Sequence, residues 1–354
     1  MLSVYSVNES SKWDDIVKSF GDHDVYYLSG YAKAFQTHGD GEPLLFYYEH
    51  EGTRAMNVVM KRDISKVETF KNKIPSNTYF DLSTPYGYGG FWSVGDDSDL
   101  LNQEYDHYCR ENGFISEFVR FHLFGNFHLH YNGRIESNSH NVVCFLEEPL
   151  EMIYRNFEHK VRKNVKKAIS SGLMVEIDTS GERINDFIDI YNKTMMRTNA
   201  RDYFLFTDKF FETINNMKNN YAYFHVFFED KVISSELVLE GPENCYSFLG
   251  GTDCDFFNLR PNDFLKFEII KWAKSRGKKK FILGGGNGED DGIFRYKKSF
   301  APNGVYDFFI GKKIFNEEVY DMLVDIRKKG SGSDMVNLQD KMDGYFPKYR
   351  IPCL

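Results

Sequence analysis

The chain has 354 residues, enough for two domains, and a formal net charge of −8 at pH 7. The negative charge argues against a general nucleic-acid-binding protein, although a local basic patch can still hold phosphates. Aromatic residues make up 17% of the sequence, which excludes disorder over most of the chain and indicates aromatic-lined cores or clefts.

The five cysteines are widely spaced and contain no C-x-x-C pair, so the sequence predicts neither a disulfide framework nor a zinc site. The sequence shows no export signal and no long apolar run. We therefore expect a cytoplasmic protein without a membrane span.

Helical and extended patterns alternate along the chain, which predicts a mixed α and β protein. In the first half we predict helices at residues 11–20, 29–37 and 99–111, and strands at 43–50, 54–61, 78–82, 115–123 and 141–146. In the second half we predict helices at 150–171, 184–197, 208–218, 262–275 and 317–328, and strands at 174–177, 221–228, 231–239, 246–250, 279–283 and 305–309. The three strands between 221 and 250 are expected to form an antiparallel meander, and a Gly/Ser stretch after Lys329 predicts a loose tail.

The most informative feature is a predicted strand that ends in glycines and is followed by cations. Apolar residues 281–283 lead into Gly284, Gly285 and Gly286, and the segment 292–300 contains Lys297 among aromatic and basic neighbours. Glycines let the backbone approach a ligand closely, and a nearby cation then places positive charge beside it. This arrangement suits an oxyanion or a phosphate, whereas the simpler alternative is a solvated lysine on a helix surface.

Several segments together resemble the Fem-type (FemABX-like) branch of the GNAT acyltransferase superfamily, whose enzymes add amino acids to peptidoglycan precursors. The segments are 160–172, 191–197, 251–273 and 292–300, and residues 31–33 and 85–90 resemble the family more weakly. The resemblance implies two tandem GNAT-like domains, each a mixed, mostly antiparallel sheet flanked by helices. We expect these domains at 1–148, on the acceptor side, and at 149–329, the catalytic domain, followed by a C-terminal tail at 330–354.

The resemblance also implies roles for single residues. Lys297, preceded by Tyr296 where the family commonly has Phe, would stabilise the oxyanion that forms when an amine attacks an acyl carbonyl. Arg197, or Arg201 in its place, and Lys33 match positions that contact the phosphates of a nucleotide-linked acceptor. The other expected substrate-binding residues are Tyr86, Gly87, Tyr88, Gly89, Arg260 and Arg295. The alternatives are exposed cations on helix faces and a plain turn at the glycine loop.

A basic segment at 158–167 is the candidate for binding the donor or its phosphates. Its candidate residues are Lys160, Arg162, Lys163 and Lys167. Lys163 and Lys167 are four residues apart on one face of a predicted helix, where like charges repel, so an anionic partner would be favoured. Transfer RNA, a nucleotide diphosphate and the phosphates of coenzyme A all have that chemistry. A solvated helix face is an equally good interpretation.

Two departures from the family pattern leave the donor open. The segment 257–262 lacks the glycines of the R/Q-x-x-G-x-G/A loop that holds the pyrophosphate of coenzyme A, and Pro261 removes a backbone donor. The segment 208–220 is too short for the coiled-coil arm that some Fem enzymes use. The side chain of Arg260 could bind the phosphate and so compensate for the missing glycines.

Candidate bases for the attacking amine are Glu236, Asp253 and Asp255. The histidines His122, His128 and His130 lack a matching set of ligands, so we interpret them as packing or surface residues and predict no metal site.

We therefore expect an N-acyltransferase that forms an amide bond on the amine of a cell-envelope precursor or a nucleotide-linked sugar. Its acyl donor would be a cosubstrate, namely aminoacyl-tRNA, acyl-CoA or acyl carrier protein, with no tightly bound cofactor. One alternative is an acyl-CoA or acyl-carrier-dependent N-acyltransferase that acts on an amino sugar or amino acid. The other is a catalytically silent protein that binds a nucleotide-linked ligand. DNA is not an expected partner.

Overall fold

A computed structural model describes residues 1–95, 98–286, 288, 291–330, 342 and 344–352. The helices are α1 (Ser10–Lys18), α2 (Ser29–His38), α3 (Ser98–Glu111), α4 (Leu150–Asn156), α5 (His159–Ser170), α6 (Ile184–Arg197), α7 (Asp208–Asn215), α8 (Pro261–Ser275), α9 (Gly292–Lys298) and α10 (Glu317–Lys329). The strands are β1 (Leu2–Ser6), β2 (Glu42–His50), β3 (Thr53–Asp63), β4 (Phe80–Ser83), β5 (Trp92–Val94), β6 (Phe114–Arg120), β7 (Arg134–Phe145), β8 (Met174–Asp178), β9 (Tyr221–Phe228), β10 (Lys231–Glu240), β11 (Asn244–Thr252), β12 (Lys280–Gly284) and β13 (Val305–Ile314).

These elements confirm the mixed α and β class. The predicted helix at 184–197 and strand at 221–228 have the observed ends, most other elements are displaced by a few residues, and β9, β10 and β11 form the expected antiparallel meander. Strands β1 and β5 and helix α9 were not predicted. They are short, so they carry too few periodic positions for a sequence pattern to reveal them.

The prediction of one helix at 150–171 is wrong, because the chain breaks it into α4 and α5. Phe157 and Glu158 between the two helices have extended backbone, with ψ of 147° and 150°. The Glu158 amide donates to the Ser299 carbonyl at 2.9 Å, and the Arg162 guanidinium donates to the Arg155 carbonyl at 2.8 Å. These bonds satisfy backbone groups that a continuous helix would have paired internally.

The chain forms two compact units that are discontinuous in sequence. Unit 1 comprises Met1–Ser19, Tyr26–Asn138 and Phe308–Leu354, and unit 2 comprises Phe20–Val25 and Ser139–Asp307. The continuous domains expected at 1–148 and 149–329 differ from these units. The reason is that the second half of β7, from Ser139, belongs to unit 2, while the second half of β13, from Phe308, belongs to unit 1.

The sheet of unit 1 has one parallel pair among antiparallel neighbours. Strands β1, β2, β3 and β4 are antiparallel in that order, and β5 pairs with β3. Helix α3 then connects β4 to β6, which is parallel to β4, and β6 pairs antiparallel with Ile310–Ile314 of β13. This unit therefore requires a strand that follows β6 by almost two hundred residues.

Unit 2 repeats the same order. Strands β8, β9, β10 and β11 are antiparallel neighbours, α8 connects β11 to β12 in parallel, and β12 pairs antiparallel with the second half of β7. Helices α5 and α8 cover one face of this sheet through Val161, Val165, Ala168, Ile269 and Ile270, all buried. Both units are thus mixed, mostly antiparallel sheets flanked by helices, as expected.

Part of the expected loose tail is packed against unit 1. Residues 331–341, 343, 353 and 354 lie outside the described residues, but Tyr349 and Ile351 are buried in a cluster with Phe70 and Leu323. The fully buried Asp81 accepts hydrogen bonds from Tyr349 at 3.1 Å and from the guanidinium of Arg350. A buried carboxylate needs such partners, so this network fixes the segment and corrects the prediction for residues 344–352.

We expect Asp81→Asn to lower the free energy of unfolding by about 3 kcal/mol, because it leaves Arg62 and Arg350 without their shared counter-charge. Urea unfolding followed by circular dichroism measures the change. Glu111→Gln, at an exposed position of α3, is the control and should lie within about 0.5 kcal/mol of the wild type. Equal stability of the Asn variant and the control would show that Asp81 does not hold the C-terminal segment.

Candidate active site

The candidate active site of unit 2 lies where β11 and β12 separate. The two strands pair in parallel only from Asn244 with Lys280 to Tyr246 with Ile282. Beyond this point β11 stays paired with β10 through Thr252, and β12 stays paired with β7 after a shift in register before Gly284. We call the gap between the two diverging strand ends the strand opening. Backbone groups at its edges no longer take part in the parallel pairing.

Lys297 lies at the β12 side of the strand opening. Its Nζ donates to the Gly285 carbonyl at 2.7 Å, and a Cβ atom on Gly284 would lie 3.3 Å from that Nζ. Gly284 also has φ of +81°, a conformation that residues with a side chain rarely adopt. The glycines after β12 therefore let the ammonium approach the backbone, which is the arrangement that the sequence pattern suggested.

Helix α9 begins in a way that orients Lys297. Asp291 accepts a hydrogen bond from the Phe294 amide at 2.7 Å and so caps the helix, while Phe294 is buried. A Cβ on Gly286 would lie 2.3 Å from the Asp291 carboxylate, so only glycine fits there without a shift. The capped helix places the side chain of Lys297 beside the end of β12.

The electrostatic surroundings lower the pKa of Lys297 to about 8. The main cause is loss of hydration of the ammonium, followed by the positive charge of Lys266, while Glu236 and Asp291 act in the opposite direction. Among the described residues its Nζ has one hydrogen bond, to Gly285. An ammonium has three donors, so two remain for another acceptor.

A buried ion pair lies at the β11 side of the strand opening. Lys266 of α8 donates to both carboxylate oxygens of Glu236 at 2.5 Å and to the Ser247 hydroxyl at 2.6 Å. The side chains of Lys266 and Glu236 are 9% and 5% exposed, so the pair is desolvated. Ser247 is the first β11 residue beyond the parallel pairing, which places the pair at the edge of the strand opening.

Our sequence interpretation missed Lys266 and assigned Glu236 a different role. A usable signal was present, since Lys266 is a lone cation among Phe264, Leu265, Ile269 and Ile270 on the apolar side of a helix. Glu236 was a candidate base, but its carboxylate is occupied by Lys266.

The hydroxyl of Tyr296 is buried and has no hydrogen-bond partner among the described residues. Burial raises its pKa well above the usual value, and the negative charges of Asp263 and Glu236 raise it further. Tyr296 therefore remains a neutral O–H that can donate a hydrogen bond. Its ring is held by edge contact with Phe300, with ring centres 5.3 Å apart.

Some of the predicted phosphate ligands come together at the start of α8. Asn164 of α5 donates to the Asp263 carboxylate at 3.2 Å, and the positive charges of Arg260 and Lys160 act on the same carboxylate. Arg260 precedes the helix in a left-handed conformation, with φ of 63°, and Pro261 is the first helical residue. The sequence separates Lys160 from Arg260, and the packing of α5 on α8 brings them to one place.

The other residues of the basic segment are arranged differently. Arg162 donates to backbone carbonyls at the end of α4, so part of its binding capacity is used in the fold. Lys163 and Lys167 are exposed on α5 and form no ion pair within the described part of the chain. Their exposure fits either a solvated face or an anionic partner.

The predicted acceptor ligands are mostly exposed cations. Lys33 of α2 and Arg295 of α9 are exposed. Arg197 lies at the end of α6, where its guanidinium stacks over the ring of Phe257 at 5.2 Å. Arg201 is also exposed, in the segment after α6. Lys33 belongs to unit 1, and the three arginines belong to unit 2.

The glycine loop of unit 1 is packed internally. The Tyr31 hydroxyl donates to the Tyr86 carbonyl at 2.6 Å, and the Gly89 amide donates to the Arg120 carbonyl at 2.7 Å. A Cβ on Gly87 would lie 2.3 Å from the ring of Tyr26. The ring of Tyr88 is buried as well. Close packing accounts for the glycine at 87, and the Gly89 amide is engaged by the fold.

Structural contacts explain one further candidate base, Asp253, and two of the histidines, His122 and His128. Asp253 is paired with Lys231 at 2.8 Å, and this hydrogen bond lowers the pKa of Asp253, which makes it a poor base. His122 is 4% exposed and packs against the rings of Trp92 and Phe127. His128 stacks on Phe309 with ring centres 4.3 Å apart.

Residues 155–298 match the family described as Acetyltransferase (GNAT) domain, which includes α5, α8, α9 and Lys297. No curated protein matches the chain in sequence. The structure titled as the crystal structure of FemX is similar over 90% of this chain and 99% of its own, with a TM-score of 0.63 and 15% identity. The chain has the fold of the FemX structure, and its residues 155–298 form a GNAT domain.

Two further solved structures share this fold. One is a conserved protein of unknown function from Bacteroides thetaiotaomicron, with a TM-score of 0.60, 8% identity, and coverage of 88% of this chain and 99% of the other. The second is the C-terminal domain of a putative lysylphosphatidylglycerol synthetase from Agrobacterium fabrum, with a TM-score of 0.54, 12% identity, and coverage of 88% and 94%. No helix in the described part of the chain is long and apolar enough to cross a membrane.

We expect Lys266→Met to lower the free energy of unfolding by about 3–5 kcal/mol, because it leaves the Glu236 carboxylate buried and unpaired. The double variant Lys266→Met with Glu236→Gln removes both charges and should recover most of that loss. Chemical denaturation of the two variants measures the difference. A double variant as unstable as the single one would mean that packing, not the unpaired charge, is responsible.

Proposed function

We propose that this protein is an N-acyltransferase that forms an amide bond, with Lys297 stabilising the tetrahedral intermediate at the strand opening. The observation that carries the proposal is the position of the Lys297 ammonium, held against the glycines after β12 inside a segment that matches the GNAT domain family. Its poor hydration strengthens its attraction for a developing negative charge.

The chemistry requires few groups. A neutral amine attacks the carbonyl carbon of the acyl donor, and the C–N bond forms as the carbonyl π electrons move to oxygen. The free N–H groups of Lys297 would donate to that oxyanion. As the carbonyl re-forms, the bond to the donor oxygen or sulfur breaks, and the proton that the former amine gives up ends on this leaving atom. The neutral hydroxyl of Tyr296 is the group that we propose to donate a hydrogen bond to the leaving atom, since it is buried without a partner in the described chain.

The acceptor that we propose is the amine of a cell-envelope precursor or a nucleotide-linked sugar, with an aminoacyl or acyl group as the transferred unit. The similarity of this chain to the FemX structure supports the fold on which this proposal rests. The exposed Arg197 and Arg295 of unit 2 offer guanidinium groups for a diphosphate. Lys33 of unit 1 is proposed as a further phosphate contact.

A second candidate takes its donor from acyl-CoA or an acyl carrier protein and its acceptor from amino sugars or amino acids. The group of Lys160, Arg260 and the N-terminus of α8 favours this candidate, because cations beside a helix N-terminus attract a pyrophosphate or phosphopantetheine phosphate. Exposed Lys163 and Lys167 of α5 would favour a larger anion such as transfer RNA instead.

We expect Lys297→Met to lower the rate of amide formation on the order of a hundredfold while substrate binding is retained, because the oxyanion loses its main donor. Mass spectrometry of reactions with aminoacyl-tRNA, acyl-CoA and acyl-carrier donors, each tested separately against amine acceptors, measures the product. Lys298→Met, at the adjacent lysine of the same helix, is the control and should keep wild-type activity. Equal turnover by both variants would remove Lys297 from catalysis. Tight ligand binding without any turnover would favour a silent binding protein.

The pH dependence of the rate tests which form of Lys297 is active. Because its pKa is lowered to about 8, the ammonium is lost as the pH rises through that value. An oxyanion role therefore predicts that kcat falls above pH 8 in the wild type. In Lys297→Arg the guanidinium remains charged, so its residual rate should not fall in this range. A wild-type kcat that rises through pH 8 would instead indicate that the neutral amine of Lys297 acts as a base.

A further inference from the structure

His225 of β9 has a fully buried imidazole that the proposed acyl transfer does not use. Its Nδ1 lies 3.1 Å from the hydroxyl of Ser235 on β10, which is fully buried as well. Its Nε2 has no hydrogen-bond partner within the described chain. A buried ring nitrogen without a partner is rare in folded proteins, because it loses contact with water without gaining a hydrogen bond.

His225 belongs to a row of residues that crosses the sheet of unit 2. Glu176 of β8, His225, Ser235 and Gly251 of β11 are successive partners across these four strands. Side chains at paired positions point to the same face of a sheet. Because β8 is the edge strand, the row leads from the edge of the sheet to the β11 side of the strand opening.

Helix α6 packs directly on this row. A Cβ atom on Gly251 would lie 2.5 Å from the hydroxyl of Thr194, so the helix lies against the end of β11. Nearer the start of the helix, the ring of Phe187 contacts Tyr223, with ring centres 5.1 Å apart. The ring of Tyr223 also stacks on His225, with centres 6.2 Å apart. The imidazole is therefore buried between β9 and α6.

The charged groups around His225 are engaged with other partners. The carboxylates of Glu176, Asp178 and Asp186 and the guanidinium of Arg183 act on the imidazole electrostatically. Arg183 pairs with Glu176 at 2.8 Å and with Asp186 at 2.7 Å. Asp178 accepts hydrogen bonds from backbone amides that precede α6. Within the described chain, none of these carboxylates accepts a hydrogen bond from His225.

A proton on the imidazole would add a second N–H group to this buried place. Neutral imidazole has one N–H, and the imidazolium has two. Ser235 faces Nδ1, so the Nε2–H of the imidazolium would have no acceptor. Burial accordingly lowers the pKa of His225, and the nearby carboxylates offset only part of that effect. The folded chain thus keeps His225 neutral at a pH where an exposed histidine is already charged.

We propose that His225 is an acid-sensitive switch that controls the packing of α6 on the sheet of unit 2. The neutral imidazole is packed beneath the helix, and the charged imidazolium is stable only where α6 has moved away and the ring contacts water. Because α6 carries Arg197 and contacts Gly251, its movement changes the β11 side of the strand opening. The switch depends on the fold of unit 2 and not on the proposed acyltransferase activity.

The direction of the pH effect follows from the lowered pKa of His225. In the opened chain the imidazole binds a proton near its ordinary pKa of about 6.5, whereas in the packed chain it does not. The stability that this packing contributes is therefore fully present above that pH, and it is lost as the pH falls toward the lowered pKa. We expect the equilibrium constant for opening of α6 to increase about tenfold between about pH 7.5 and 5.5.

Hydrogen exchange of the full chain, followed by mass spectrometry, tests this switch. In the wild type, the protection of α6 relative to the intrinsic exchange rate at each pH should fall about tenfold between about pH 7.5 and 5.5. His225→Asn keeps an acceptor for Ser235 but cannot bind a proton at these pH values, so its protection should change much less. The matched control is His159→Asn, at an exposed histidine of α5, which should behave as the wild type does.

NMR titration of the wild-type chain with labelled histidine provides a second readout. The His225 signal, assigned by its loss in His225→Asn or His225→Phe, should remain that of a neutral ring through about pH 6.5 while the chain is folded. A His225 midpoint near about pH 6.5 in the folded chain would overturn the proposal. So would an equal loss of α6 protection in His225→Asn, a loss that His159→Asn abolishes, or wild-type protection that stays constant over this pH range.

Discussion

The chemistry that we propose for unit 2 depends on an imbalance of charge in a poorly hydrated place. Lys266 and Lys297 lie on the two sides of the strand opening, and the buried carboxylate of Glu236 is paired with Lys266. Loss of hydration and, after it, the positive charge of Lys266 destabilise the ammonium of Lys297 and lower its pKa to about 8. The same destabilisation makes a new negative charge beside it favourable. In the reaction that we propose, the tetrahedral oxyanion is such a charge, and because it exists only during the reaction, its attraction to Lys297 would stabilise the transition state more than the substrate.

The fold creates this imbalance by separating two parallel strands. Helix α8 crosses from β11 to β12 and brings Lys266 against β10 and β11, where Ser247 and Glu236 receive it. On the other side, Gly284 and the capped start of α9 bring Lys297 to the end of β12. The hydrogen bonds and packing that position both ammonium groups belong to rigid elements of one sheet. Preorganised donors of this kind need little rearrangement during the reaction.

Unit 1 uses the same order of strands with a different arrangement of charge. Its fully buried carboxylate, Asp81, is surrounded by Arg62, Arg350 and the hydroxyl of Tyr349, so its hydrogen-bonding capacity is filled by the protein. That network stabilises the C-terminal segment and uses the oxygens of the Asp81 carboxylate within the protein. One topology thus supports a closed structural network in one unit and an open reactive site in the other.

The sequence by itself determined most helices and strands, the antiparallel meander, and the approach of Lys297 to the glycines after β12. These features depend on residues close together in the chain, whose periodicity and backbone preferences are local properties. Only the tertiary structure decided that Lys266 and Glu236, 30 residues apart, form a buried pair, and that Lys160 joins Arg260 at α8. It also decided that the sheet of unit 1 takes a strand, β13, from a distant part of the chain. Long-range pairing depends on which surfaces bury each other, and no local pattern records that choice.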